Sequence, residues 1–243
     1  MTKALSREAS VDLAGRRVAV RFLRNRRARR IILRLDTNND GNQDGAEDGV
    51  VVTLPGRTGV EEGLALVRDK ADWVLARLEG RPPRIPFVDG AVVPLGGVDH
   101  VIRHTGAGRG LVRLEGANIL VAGGLEHTAR RVRDWFRGEA KARIRGKVRD
   151  KAAVLDRTPG RITVRDTKSR WGSCSHDGNL SFCWRLVMAP ESVLDYVVAH
   201  EVAHLAEHNH GPEFWRLVGT LTDDMDWGRD WLRRNGERLH RIG

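Results

Sequence analysis

The sequence predicts an α+β fold, with a β-rich N-terminal part leading into a helical C-terminal part, and three features point to it. Short segments of alternating apolar and polar residues fill the first half, punctuated by Gly, Asn and Pro. A long helical pattern then runs from about Glu126 to Leu155. Beyond it, an apolar helix opens at Pro190 and carries His200, Glu201 and His204.

Residues 10–86 read as three strands, Arg17 to Phe22, Arg30 to Leu35 and Val50 to Leu54, followed by an amphipathic helix from about Gly59 to Leu78. The run Arg81-Pro-Pro-Arg-Ile-Pro86 closes this part, because proline suits neither a helix interior nor a central strand. Residues 87–124 hold short strands near Ala91 to Pro94, Val98 to Arg103, Leu111 to Leu114 and Asn118 to Val121. The last part, residues 125–240, begins with the long helix. It continues with strands near Ile162 to Arg165, Trp171 to Ser175 and Leu180 to Trp184, then the histidine helix, a helix after Pro212 and a final helix carrying Trp231. No internal repeat is visible in the residues themselves.

At 243 residues and 40% apolar content the chain can bury one good core or two small ones. Neither a membrane-spanning segment nor the apolar run of a signal peptide is present, which makes the cytoplasm the expected location. Cys174 and Cys183 flank a turn at Asp177-Gly178-Asn179 and could face each other across a hairpin, yet in a reducing compartment they are expected to stay thiols. The net charge of +10 raises nucleic acid as a partner, although only six of the 42 basic residues are Lys and no nucleic-acid fold motif accompanies them. Ten basic residues lie along the long helix from Arg130 to Lys151, and six arginines crowd the stretch from Arg21 to Arg30.

The most specific signal is His200-Glu201-Val-Ala-His204, the H-E-x-x-H spacing. Residues four apart share a helix face, so both imidazoles can reach one zinc ion while Glu201 points at the open side as general base. Two histidines and a glutamate on a largely apolar helix are costly to bury without a partner, and a metal ion satisfies all three. Geometry favours His210 as third ligand, because the helix must break before Gly211-Pro212, whereas His208 would continue up the same helix. Glu213 and His208 remain alternatives. Tyr196, one turn before His200, is a candidate oxyanion donor, and Arg170 and Trp171 are candidates for substrate contact, each with packing as its other reading.

These motifs resemble the YgjP-like metallopeptidase domain family, relatives of SprT-like proteases. The resemblance rests on Ile162-Thr-Val-Arg-Asp-Thr-Lys-Ser-Arg-Trp-Gly-Ser-Cys-Ser, on Gly178-Asn-Leu-Ser-Phe, and on the histidine helix with Asn209-His210-Gly-Pro-Glu-Phe-Trp215. It extends from about Arg17 to Gly236. It implies a zincin-like metalloprotease domain, a small antiparallel sheet plus an active-site helix, with one zinc on His200, His204 and His210 and Glu201 as the catalytic base. A protein or peptide is then the expected substrate. A nucleic-acid-associated protein with a structural zinc helix, and a zinc hydrolase of other amides, are the competing readings.

One segment stands apart. Asp36, Asn38, Asp40, Asp44 and Glu47, with Gly41 at the turn, match the oxygen spacing of a calcium loop, although strands rather than helices flank it. An acidic hairpin insertion without any ion is the competing reading.

Overall fold

The structure, a computed structural model, describes residues 7–36, 49–106 and 111–243. The chain divides into two compact units, Met1–Arg81 and Pro82–Gly243.

In the first unit β1 (Arg7–Leu13), β2 (Arg16–Arg24), β3 (Ile32–Leu35) and β4 (Gly49–Leu54) form one sheet in the order β1-β2-β4-β3. Two antiparallel pairs, β1 with β2 and β3 with β4, are joined by a parallel pairing of β2 with β4. Alternate residues Val18, Val20 and Phe22 of β2 and Val50, Val52 and Leu54 of β4 are buried, and α1 (Val60–Asp69) and α2 (Ala71–Glu79) add Leu64, Val67, Val74 and Leu78 to the same core. Gly63 lets α1 approach the sheet: a Cβ there would meet Phe22 at 2.8 Å and Leu54 at 3.0 Å. The single helix expected over 59–78 is in fact two, divided at Lys70, whose φ of −101° and ψ of 22° leave the helical region. Strand β1 adds a fourth strand to the three read from the sequence.

The second unit opens with β5 (Val92–Leu95), β6 (Val98–Gly106), β7 (Val112–Glu115) and β8 (Asn118–Ala122), in the order β5-β6-β8-β7. Here too two antiparallel pairs meet through a parallel one, β6 with β8. The same four-stranded arrangement followed by helix thus occurs in both units, a repetition of topology that the residues do not display. After a 3-10 turn at Leu125–His127 comes α3 (Thr128–Val154), whose buried residues Val132, Phe136, Ala140, Ile144, Val148 and Ala152 recur every fourth position. Ile102, Ile119 and Val121 from the sheet share one core with these and with Phe182, Trp184 and Val198, so no core boundary separates residues 87–124 from the helical part of the chain.

The third sheet, β9 (Ile162–Arg165), β10 (Gly172–Cys174) and β11 (Leu180–Cys183), has the order β10-β11-β9. It is mixed rather than antiparallel: β10 pairs antiparallel with β11, but β9 pairs parallel with β11. Strand β11 is central, with β10 joined to it as a hairpin on one side and β9 running parallel to it on the other. The same hairpin register sets Cys174 opposite Leu180, so the two cysteines do not face each other, and both are free. Then come α4 (Glu191–Ala203), α5 (Pro212–Leu221) and α6 (Met225–His240).

Helix α4 is fastened to α3 by charge. Lys151 and Lys147 donate to the two carboxylate oxygens of Asp195 at 2.8 and 3.1 Å, and Lys147 also pairs with Glu191 at 3.1 Å. No helix among the described residues is long and apolar enough to cross a membrane. Of the residues expected to form a calcium loop, Asp36 accepts from Arg21 at 2.6 Å, and Asn38, Asp40, Asp44 and Glu47 lie outside the described residues. Calcium there has no support among the described residues.

Candidate metal centre

Pro190 opens α4, and its apolar residues Val193, Leu194, Val197, Val198, Ala199, Val202 and Ala203 are all buried, which fixes the helix within the core. Its last turn presents His200 and Glu201. The helix ends at Ala203: Leu205, Ala206 and Glu207 donate back to Val202 and Ala203, tightening the turn, and His204 Nδ1 lies 3.0 Å from the Glu207 carbonyl. His208 therefore does not continue the same helix by a further turn, contrary to the expectation from spacing. It stands in the loop beyond, its ring stacked on His176 with centroids 5.2 Å apart. Pro212 starts α5, anchored by Phe214, Val218 and Leu221, and the chain entering it delivers His210.

One ligand atom from each of His200, His204 and His210 lies within 4.8 Å of the others. The Nε2 atoms of His200 and His210 are 3.2 Å apart. Two nitrogens on one tetrahedral zinc ion are separated by about 3.3 Å, so this spacing fits the ion. With Nδ1 of His204 donating to the Glu207 carbonyl, its Nε2 lone pair is left for a metal, the arrangement that orients ligating imidazoles. Burial, together with His204 and His210, pushes His200 down to about 4, and burial also lowers His204, so both are neutral and able to ligate. The donor set therefore suits zinc. Glu213, the alternative ligand, is exposed and held by Arg216 at 2.6 Å.

Beside the imidazoles, Glu201 is buried, and burial pushes its carboxyl up to about 7 against the opposing pull of Arg170. A cleft of about 320 Å³ is lined by His200, Glu201, His204, His208 and His210 on one side and by Gly172, Ser173 and Cys174 of β10 on the other. Sequence reasoning singled out neither Gly172 nor Phe214. Gly172 faces the Glu201 carboxylate, and a Cβ there would lie 2.7 Å from the Glu201 Cδ. Phe214 underlies all three imidazoles, with ring centroids 4.9, 4.5 and 4.6 Å from those of His200, His204 and His210. Its place two residues past Pro212 was the available hint.

The remaining candidates stand back from the cleft. Tyr196 is buried, its ring steeply inclined to that of His200 at 6.1 Å between centroids, and packs against Gly228 of α6. Trp171 stacks on His240 at 4.3 Å and rests over Gly236. Arg170 is exposed and reaches the site through its charge on Glu201.

Converging imidazoles with a buried carboxylate, set against a sheet edge in an open cleft, define a candidate metal-dependent hydrolase site. Residues 45–235 match the YgjP-like metallopeptidase domain, and the chain belongs to that family of metal-dependent peptidases. The chain shows no match to a curated protein or to a solved structure.

Proposed function

We propose that this chain is a zinc peptidase in which His200, His204 and His210 hold the metal and Glu201 is the general base. The observation that carries this reading is the buried Glu201 beside three convergent imidazoles in a cleft open to substrate. Zinc bound there supplies Lewis acidity, lowering the pKa of water and polarising a carbonyl. Glu201 takes the proton of the attacking water on a carboxylate oxygen and hands it to the leaving amine, a transfer served by a carboxyl whose burial holds its pKa near neutrality. The positive charge of Arg170 opposes that burial and favours the ionised base.

The substrate chain runs alongside β10 as an added strand. In support, β10 ends its sheet in the order β10-β11-β9, and its residues Gly172 to Cys174 line the cleft. Backbone pairing of this kind recognises an extended peptide rather than a small amide. The test is Glu201→Gln: the variant retains zinc but loses cleavage of an unbiased peptide library, and cleavage at the wild-type rate would overturn the assignment.

A further inference from the structure

Beyond peptide hydrolysis, we infer that one end of the first unit is a docking surface for duplex nucleic acid, gripped through its phosphates by the arginines of the turn between β2 and β3. Strand β2 ends at Arg24, and β3 begins at Ile32. Between them Arg26, Arg27, Arg29 and Arg30 all reach solvent. Strand β4 runs parallel to β2 and ends level with it, Arg24 paired with Leu54, which brings Arg57 to the same end.

The turn is built rather than loose. Asn25 donates its backbone N–H to Leu54 at 2.9 Å and accepts, through its side chain, from the N–H of Arg27 at 2.9 Å, while its carbonyl accepts from Ala28 at 3.1 Å. Arg24 donates to the carbonyl of Gly56 at 2.6 Å, tying the turn to the loop that carries Arg57. Among the described residues, Arg26, Arg27, Arg29, Arg30 and Arg57 have no carboxylate partner. The exposed cations of the turn are left to an external anion.

Guanidinium is the group suited to phosphate, since its planar fork pairs two oxygens at once. The segment from Asn25 to Ile31 contains no aromatic residue, which disfavours single strands, whose binding rests on stacked bases. A turn presenting arginines to a repeating backbone charge fits duplex phosphates without base readout.

The experiment is fluorescence anisotropy of the full chain with a labelled DNA duplex across a salt series. Arg26, Arg27, Arg29 and Arg30 are replaced together by Ala in one variant and by Lys in another. Wild type is expected to bind with a steep salt slope. The Ala variant is expected to bind at least about tenfold more weakly, with a slope flatter by about 3 to 4, from roughly 0.9 for each phosphate no longer neutralised. The Lys variant keeps the slope, and an unchanged melting midpoint shows that both variants fold. No duplex binding by wild type, equal binding of an acidic peptide in place of DNA, tighter binding of a single strand than of the duplex, or an Ala variant with the wild-type slope would each overturn the inference. None of these readouts depends on peptidase activity.

Discussion

Gly172 and Glu201 occupy one space: a Cβ on residue 172 would lie 2.7 Å from the Cδ of Glu201 and 2.5 Å from its Cγ. The carboxylate is held between its own helix and the bare backbone of β10, so the position of the proposed base depends on a missing side chain across the cleft. Gly172→Ala should displace Glu201 while leaving the three histidines in place. A displacement of about 1 Å costs on the order of a hundredfold in turnover. Zinc stoichiometry should be unchanged, and a variant with wild-type turnover would show that Glu201 needs no such space.

Phe214 packs against all three histidines proposed to hold the metal. Replacing it by Ala removes a fully buried ring from beneath three imidazoles, so it should cost about 3 to 5 kcal/mol of stability. Zinc affinity should fall as well, because the imidazoles lose the surface that orients them, and Phe214→Leu should weaken binding less. Chelator competition measures this directly. A Phe214→Ala protein with lowered melting midpoint but unaltered zinc affinity would confine the ring to general packing.

The clamp between α3 and α4 gives a pH signature. Burial pushes the Asp195 carboxyl up, but Lys151 and Lys147 outweigh it and hold the group below its ordinary value of 3.8. A depressed carboxylate contributes stability that is fully present above that value and is lost as pH falls through the lower, folded-state value. Asp195→Asn should therefore destabilise the protein by about 2 kcal/mol at neutral pH, with the difference from wild type shrinking below about pH 4. Urea denaturation at neutral and at acidic pH tests it; an equal difference at both would refute the linkage.

Metal removal should also be visible in stability. Zinc at roughly a thousandfold excess over its dissociation constant stabilises a folded site by about 4 kcal/mol. Adding zinc to chelator-stripped protein should raise the melting midpoint of wild type and not of His200→Ala. An equal rise in both would place the ion elsewhere.

Local signals made the helices and most strands legible in the sequence. Proline at Pro190 and Pro212 marked the starts of α4 and α5, and the four-residue spacing alone put His200 and His204 side by side. What escaped were relationships between distant segments. The parallel pairing of β9 with β11 and the meeting of Gly172 with Glu201 depend on register, which no single segment encodes. The place of His208 is illegible for a related reason: hydrogen bonds back to Val202 and Ala203 end the helix early, with no glycine or proline between Ala203 and His208 to announce it. The separation of Cys174 from Cys183 likewise came from the hairpin register.

Whether His200, His204 and His210 together hold one catalytic zinc is decided by zinc content, measured by mass spectrometry on wild type and His210→Ala purified side by side without added metal. About one zinc per wild-type chain and a sharp loss in the variant are expected, because removing one of three ligands leaves the metal only two. A wild-type chain without zinc, or a variant that keeps its full complement, would refute the three-histidine site.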